Sequence, residues 1–265
     1  MTGADLVVTG GTPPEVAVVG GRIAGPGAAP AGAPTLAAAG RVVAPGFIDL
    51  QCNGAAGIDL TAEPERLWEM AALLPRWGVT AWLPTIVTAP ADLRRRALAA
   101  WRAGPPPSLA DGRPLAAPLG LHFEGPFLAP ERRGAHPLKY VTAPDPACVE
   151  SEGWAGAVAL ATVAPELPGA VELIRALVAQ GIVVSAGHSS ATAAEARAAA
   201  DAGVTYVTHL FNGMAGLHHR SPGIVGVALT ERRLRVGMIV DGLHVHPTTV
   251  AAVWPALRGR LTLVT

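Results

Sequence analysis

Apolar runs of strand length alternate with segments of helical periodicity from Pro45 to the end of the chain. This alternation is typical of repeated βα units around a parallel sheet. The runs predicted as strands cover residues 46–51, 79–87, 118–124, 158–163, 182–187, 206–210, 236–240 and 261–265. The segments predicted as helices, flanked by proline or glycine, cover residues 64–77, 91–101, 170–180, 192–202 and 247–257. Eight repeats predict a TIM-like (β/α)8 barrel rather than an open doubly wound sheet, with its chemistry at the C-terminal ends of the strands.

The residues before Pro45 follow a different pattern. Short β pieces are predicted at residues 6–8 and 16–19, followed by a stretch over 24–40 that is rich in glycine, alanine and proline. That stretch has few large apolar groups, so we expect a surface loop there. The chain is therefore predicted to consist of a small β segment over residues 1–44 and a barrel over 45–265 that ends at strand eight.

Composition limits the kind of ligand. Half of the 265 residues are apolar, the formal net charge is zero and 15% of the residues are charged. A large core is therefore possible, but neither nucleic acid nor an acidic membrane surface is an expected partner. The start of the chain has no signal-peptide pattern, and no stretch approaches the roughly 18 apolar residues of a membrane span. We expect a cytosolic protein that binds a small molecule.

The two cysteines do not indicate a disulfide framework or a thiolate zinc site. Cys52 and Cys148 lie far apart and outside any C-x-x-C pattern. We expect Cys52 to be a packed thiol, because strand alternation turns it away from its neighbours Gln51 and Asn53. A metal in this protein would need histidine and carboxylate ligands.

Polar side chains gather where the predicted strands end. They are Gln51 and Asn53 after the first strand, His122 and Glu124 on the third, His188 after the fifth, His209 on the sixth, and Asp241 and His244 after the seventh. A random scatter would also place such residues on helices and on the opposite rim. The common position therefore predicts one site at the C-terminal rim of the barrel.

Glu124, His188 and His209 are the candidate metal ligands. One carboxylate oxygen and two imidazole nitrogens can hold a divalent ion and leave a position open for water, which the ion would make acidic. A single histidine in an apolar run is more often a packed core residue than a ligand. Three candidate ligands on one rim, one of them an acid, favour the metal site.

Five ordered segments carry a resemblance to a known family. They are 45–54 with Gln51 and Asn53, 122–127 (HFEGPF), 187–189 (GHS), 208–214 (THLFNGM) and 241–244 (DGLH). Together they resemble N-acetylglucosamine-6-phosphate deacetylase, a family of metal-dependent amide hydrolases in the amidohydrolase superfamily. The resemblance spans residues 45–265. It implies hydrolysis of the acetamide of N-acetylglucosamine 6-phosphate by the full-length form, and a small β-sandwich that is incomplete here.

For the metal, the resemblance assigns Glu124, His188 and His209 as ligands. Gln51 and Asn53 replace the His-x-His pair that holds a second metal in many amidohydrolases, and amides are poor ligands. We therefore expect one divalent ion per chain, with zinc first and iron, manganese or cobalt as alternatives. The two amides could equally serve loop hydrogen bonding. For His122, orientation of a ligand or water and a purely structural role both stay open.

For the substrate, the resemblance implies that His136, after Ala135, polarises the acetyl carbonyl. Without it, an exposed loop histidine is the alternative. Asn212 and Gly213, together with Asp241 and His244, match segments that contact the sugar. Gly213 stands where the family usually has alanine.

Arg220 matches an arginine that binds the substrate phosphate of the neighbouring subunit, so the resemblance implies a homodimer with shared active sites. The basic pair Arg132 and Arg133 is predicted to lie in a solvated loop.

The catalytic base is the point at which the pattern breaks. In the family, the eighth strand delivers an aspartate that takes a proton from the metal-bound water and returns it to the leaving amine. The predicted strand 261–265 is present, but that aspartate is absent from the chain. We therefore expect this 265-residue chain to be impaired in turnover.

Two alternative functions stay open. One is a related amidohydrolase that acts on another N-acetyl amino sugar phosphate or on a ring amide, although the Asn212 and Arg220 motifs disfavour a substrate without a phosphate. The other is a non-catalytic protein that binds a sugar phosphate.

Overall fold

The computed structural model describes residues 5–109 and 112–265. The chain divides into two compact units, Met1–Gly46 and Phe47–Thr265. Residues 1–4, with which the predicted β segment begins, lie outside the described residues.

The smaller unit is a four-stranded sheet in the order β3-β2-β1-β4. Its strands are β1 Leu6–Thr9, β2 Glu15–Val19, β3 Arg22–Ala24 and β4 Thr35–Ala37. The predicted loop over 24–40 is wrong at β4, which pairs in parallel with β1. All three residues of β4 are exposed, so backbone pairing forms this edge strand without an apolar pattern that the sequence could reveal.

The larger unit contains eight parallel strands in one continuous order, and the predicted TIM-like (β/α)8 barrel is confirmed. These strands are β5 Phe47–Cys52, β8 Val79–Val87, β10 Leu121–Glu124, β11 Val158–Val163, β12 Val183–Ala186, β13 Val204–Val207, β14 Arg235–Met238 and β15 Leu261–Leu263. Three short strands lie off this path, β6 Gly54–Ala55, β7 Ile58–Asp59 and β9 Ala117–Pro118.

The third predicted strand, 118–124, is interrupted, because β9 and β10 are separate. Gly120 lies between them with a positive φ of 120°. A Cβ added to Gly120 would approach the Ala159 Cβ to 2.8 Å. The chain therefore turns at Gly120 where it packs tightly against β11.

Helices alternate with the barrel strands. They are α1 Leu67–Leu73, α2 Ala91–Ala103, α3 Ala147–Ser151, α4 Ala170–Ala179, α5 Ala193–Ala202, α6 Gly223–Thr230 and α7 Pro247–Leu257. The predicted helix 64–77 is α1 extended by 3-10 turns at Pro64–Arg66 and Leu74–Trp77. The sequence did not predict α6, which is apolar almost throughout and therefore lacks the amphipathic period of a surface helix.

The core lies between the strands and the helices, where Trp82, Phe123 and Trp154 are fully buried. β11 is apolar along most of its length, as expected for a parallel strand covered on both faces. No helix in the described part of the chain has the length and apolar character needed to cross a membrane.

Candidate metal centre and active site

The three predicted metal ligands meet at the C-terminal rim of the barrel. Glu124 ends β10, while His188 and His209 follow β12 and β13. Glu124 Oε1 lies 2.9 Å from Nε2 of His188 and 2.9 Å from Nε2 of His209, and the two Nε2 atoms are 3.1 Å apart. All three residues are buried, and this group could hold a metal ion.

Both histidines depart from regular backbone geometry. His188 has a φ of 49° and His209 a φ of 23°, and left-handed conformations in residues other than glycine cost roughly 1–3 kcal/mol each. Backbone hydrogen bonds hold the residue before each histidine, from Gly187 N to Val163 O at 3.2 Å before His188 and from Thr208 N to Ala186 O at 3.0 Å before His209. The strand ends therefore hold the two imidazoles toward Glu124.

The tautomer of His188 suits a ligand. Its Nδ1 lies 2.9 Å from the carbonyl oxygen of Arg132, and a carbonyl can only accept, so Nδ1 donates and Nε2 keeps its lone pair. Arg132 also donates from Nε to Ser190 Oγ at 2.8 Å, and Arg133 donates to the His136 carbonyl at 3.0 Å. The predicted solvated loop is wrong for these two arginines, because they tie the loop to the site.

The charge state of Glu124 also suits a cation. Burial opposes its ionisation, but the neighbouring imidazoles of His188 and His209 outweigh burial and hold the pKa of Glu124 well below its usual range. An ionised carboxylate facing two imidazole nitrogens is a donor set that divalent metals accept.

The first barrel strand also contributes to the cluster. Gln51 Nε2 donates to Glu124 Oε1 at 3.1 Å, while Gln51 Oε1 is buried with no partner among the described residues. Asn53 lines the same cavity. Cys52 packs in the hydrophobic core as predicted, and burial raises the pKa of its thiol to about 12.

His136 is buried beside the cluster rather than exposed in its loop. Thr88 N donates to His136 Nδ1 at 3.2 Å, so the proton of the neutral ring is on Nε2. Burial lowers the pKa of His136 to about 4, and its Nε2 lies 3.9 Å from Glu124 Oε2. Sequence reasoning missed Thr88, whose only signal was its place directly after β8.

A cavity of about 440 Å³ brings the candidate residues together. From the predicted set, it is lined by Gln51, Asn53, Glu124, Ala135, His136, His188, His209, Asn212, Gly213 and His244. The sequence did not predict the lining residues Val87, Gly134, Ile239 and Thr265.

Asp241 does not line that cavity. Its Oδ2 lies 2.7 Å from His244 Nδ1, and its Oδ1 accepts backbone N–H groups of Leu243 and His244 at 2.8 Å each. The backbone and side chain of His244 and the Leu243 N–H lower the pKa of Asp241 to about 2. Asp241 is therefore placed to orient His244, which does line the cavity.

The loop after β13 packs closely on His188. Gly213 has a φ of 60°, and a Cβ at this position would approach His188 Nδ1 to 2.7 Å. Asn212 Nδ2 donates to the carbonyls of His209 and Leu210 at 3.4 Å each. The amide of Asn212 thus ties this loop to the backbone of His209, a candidate metal ligand.

Two further predicted residues lie outside the cavity. Arg220 lines a separate pocket of about 350 Å³ at the beginnings of α5 and α6. His122 contacts Thr85 Oγ1 through Nδ1 at 3.2 Å and Thr162 Oγ1 through Nε2 at 2.8 Å. His122 is therefore held by hydroxyl groups beneath the cluster.

The chain has relatives among known proteins, although no family model matches it. It is similar to N-acetylglucosamine-6-phosphate deacetylase of Danio rerio, with 39% identity over 85% of this chain and 58% of that protein. It is also similar to N-acetylgalactosamine-6-phosphate deacetylase of Escherichia coli O157:H7, with 39% identity over 84% of this chain and 59% of that protein. The chain thus spans somewhat more than half the length of these curated relatives.

A solved structure covers more of the chain. It is N-acetyl-D-glucosamine-6-phosphate deacetylase of Mycobacterium smegmatis, a mutant in complex with N-acetyl-D-glucosamine-6-phosphate. The match has a TM-score of 0.81 and 34% identity, and covers 99% of this chain and 71% of that chain.

Proposed function

The chain belongs to the N-acetylglucosamine-6-phosphate deacetylase family, and on that premise we propose that its full-length form hydrolyses the acetamide of N-acetylglucosamine 6-phosphate. The products are glucosamine 6-phosphate and acetate. One observation carries the proposal: the buried group of Glu124, His188 and His209 shares a cavity with the neutral imidazole of His136. The Mycobacterium smegmatis relative was solved with this sugar phosphate bound, which supports the choice of substrate.

One divalent ion, zinc first among the candidates, would be held by Glu124, His188 and His209. When bound, it would supply an acidified water and a positive charge near the amide carbonyl. Gln51 and Asn53 occupy the positions of the His-x-His pair that holds a second metal in many amidohydrolases. Because Gln51 donates an N–H to Glu124, it acts here as a hydrogen-bond partner of a ligand.

His136 stabilises charge on the carbonyl oxygen of the acetyl group. The Thr88 N–H fixes the imidazole tautomer, which leaves Nε2–H free to donate into the cavity. A donor held in place before the reaction needs little reorganisation when negative charge develops on that oxygen. Burial of His136 keeps competing water away from the donor.

Proton transfer needs a further carboxylate. Glu124 is the only acid that lines the cavity within residues 5–109 and 112–265, and its Oε1 is engaged by both imidazoles. Thr265 lines the same cavity. We therefore place the catalytic base at the position that follows Thr265. An aspartate there would take a proton from the attacking water and give it to the leaving amine.

Substrate recognition is assigned to Asn212, Gly213 and His244 inside the cavity, and to Arg220 outside it. Since Arg220 lines a different pocket, its position agrees with a role toward the active site of a second subunit in a homodimer. The proposal also includes a β segment over residues 1–44, a barrel over 45–265 and a cytosolic location.

A second substrate follows from one comparison. The Escherichia coli O157:H7 relative is an N-acetylgalactosamine-6-phosphate deacetylase with 39% identity. N-acetylgalactosamine 6-phosphate is therefore the alternative substrate. This alternative ranks ahead of hydrolysis of a ring amide and ahead of a purely non-catalytic binding role.

Acetate release tests the function. The zinc-loaded chain is compared with a longer form that continues past Thr265 through an aspartate and the C-terminal strands. The substrates tested are both N-acetylhexosamine 6-phosphates, the unphosphorylated sugars and a hydantoin, whose ring opening releases no acetate and is followed by chromatography. We expect the longer form to release acetate faster from the phosphorylated sugars than from the unphosphorylated ones, and the short chain to be about 10²–10⁴-fold slower.

Two outcomes would contradict the proposal. Hydrolysis of the hydantoin but not of either sugar phosphate would exclude the deacetylase function. A short chain within about tenfold of the longer form would place the base elsewhere than after Thr265.

A further inference from the structure

A row of buried polar side chains crosses the barrel beneath Glu124, His188 and His209. Its members are Ser185, Thr208, Thr162, His122 and Thr85, and it ends at the carbonyl of Leu83. Ser185 Oγ lies 2.5 Å from Thr208 Oγ1, which lies 2.8 Å from Thr162 Oγ1. Thr162 Oγ1 lies 2.8 Å from His122 Nε2. On the other side of the ring, His122 Nδ1 lies 3.2 Å from Thr85 Oγ1, which lies 3.1 Å from the Leu83 carbonyl oxygen. Each of the five residues is at most 1% exposed. No bulk water is therefore available to them as an alternative partner.

The two ends of the row fix the direction of its hydrogen bonds. Thr85 has one hydroxyl hydrogen, which it donates to the Leu83 carbonyl, so Thr85 Oγ1 must accept from His122 Nδ1–H. His122 Nε2 then accepts from Thr162. At the other end, Ser185 Oγ has no hydrogen bond to any other residue in the described ranges. Its hydroxyl hydrogen therefore goes to Thr208.

The reverse direction leaves groups unsatisfied. If His122 carried its proton on Nε2, Thr162 and Thr208 would each donate onward, and the hydrogen of Ser185 would have no acceptor. The Leu83 carbonyl would also lose the hydrogen of Thr85. Each buried polar group without a partner costs about 1–3 kcal/mol, so the direction from Ser185 to Leu83 is strongly favoured.

The row touches the backbone that presents the candidate ligands. Thr208 directly precedes His209, and His122 lies two residues before Glu124 on the same face of β10. Gly187, which precedes His188, packs against the row so closely that a Cβ would approach Thr208 Cβ to 2.8 Å and Thr162 Cγ2 to 2.9 Å. The row is therefore linked to the strand end of every candidate ligand.

We propose that this directed row of hydrogen bonds is a positioning network, which holds the ends of β10, β12 and β13 so that Glu124 Oε1 and the two Nε2 atoms converge. The inference rests on the proposed metal-dependent function. The five residues of the row act through the candidate ligands and do not line the cavity themselves. Loss of supporting interactions around metal ligands typically lowers metal affinity by about 10–100-fold.

The tautomer of His122 tests the direction of the row without any metal or substrate. Two-bond ¹H–¹⁵N correlation spectra of the ¹⁵N-histidine-labelled chain at pH 7.5 distinguish Nδ1–H from Nε2–H. We expect Nδ1–H in the wild type, and a changed Nδ1–H resonance in Thr85→Val, which removes the acceptor of His122 Nδ1. An Nε2–H signal in the wild type would overturn the assigned direction.

Zinc affinity tests the positioning role. Competition with a chromophoric chelator should show about 10–100-fold weaker zinc binding in Thr208→Val. Thr80→Val is the matched control, because Thr80 is exposed on β8, and it should bind like the wild type. Ser185→Ala gives a second, smaller change at the end of the row and should also weaken zinc binding if Thr208→Val does not fold.

The two failures are distinguishable. Unchanged zinc affinity in folded Thr208→Val or Ser185→Ala would overturn the positioning role. A folded wild type that binds no zinc would instead contradict the metal-dependent function. The tautomer of His122 would still decide the direction of the hydrogen bonds in the row.

Discussion

The Thr265 hydroxyl donates a 2.7 Å hydrogen bond to Asp49 Oδ2, joining the residues after the last barrel strand to the interior of the first strand. Asp49 Oδ1 accepts the backbone N–H of Gln51 at 3.0 Å. Although β15 and β5 share no backbone ladder, this hydrogen bond brings their ends together. Thr265 is therefore anchored beside Gln51, which donates to Glu124.

Removal of this hydroxyl should destabilise the barrel. In Thr265→Val the buried carboxylate of Asp49 loses a donor, and we expect the free energy of unfolding to fall by about 1–3 kcal/mol. Urea unfolding followed by circular dichroism measures the change. Thr80→Val, an exposed β8 position, is the matched control, and equal stabilities of the two variants would mean that the hydrogen bond contributes nothing.

Truncation of His136 should slow catalysis without release of the metal. In the longer form, His136→Ala removes one donor to the carbonyl oxygen, and kcat should fall by about 10²–10³-fold. His219→Ala, an exposed histidine, should leave kcat unchanged. A variant that loses zinc together with activity would assign His136 to metal binding instead.

Stability of the metal-free chain should fall as the pH is lowered from about 6.5 to 4. Burial lowers the pKa of both His122 and His136 to about 4, whereas unfolded histidine titrates near 6.5. Between these values the unfolded state binds more protons, so the free energy of unfolding rises with pH. Each histidine contributes up to about 1.4 kcal/mol per pH unit.

The depressed pKa of Glu124 acts in the same direction, because its stabilising contribution is lost as the carboxylate is protonated at lower pH. Urea titrations in a chelator at several pH values measure the slope, and His136→Asn should reduce it. A stability that is flat or rises toward pH 4 would contradict the neutral buried histidines.

The loss of Arg220 should affect only phosphorylated substrates. Truncation of one partner of a buried charge pair costs about 2–5 kcal/mol, so Arg220→Ala in the longer form should raise the KM for N-acetylglucosamine 6-phosphate. The KM for the unphosphorylated sugar should change little. Equal effects on both sugars would show that Arg220 has a structural role.

Much of the barrel could be predicted because its strands are dense apolar runs. The 79–87 strand agrees with β8 over its whole length. The helix α6 and the edge strand β4 could not be predicted, since one is apolar almost throughout and the other is exposed throughout. Amphipathic patterns mark only elements with one buried and one solvated face.

The candidate site was predictable where strand ends alone bring residues together, as for Glu124 and His209. Features that depend on interactions between loops could not be predicted from the sequence. The protonated nitrogen of His136 depends on Thr88, and Arg132 reaches Ser190, which is 58 residues away in sequence. No periodicity encodes such interactions between separate loops.

Metal content tests the central claim most directly. Protein purified without chelator and analysed by mass spectrometry for zinc, iron, manganese and cobalt should contain about one divalent ion per chain, in keeping with a single carboxylate and two imidazoles. The double variant His188→Ala with His209→Ala should lose the ion, whereas the exposed neighbouring pair His218→Ala with His219→Ala should keep it. A folded wild type without metal, or full metal retention in the His188 and His209 variant, would contradict the account.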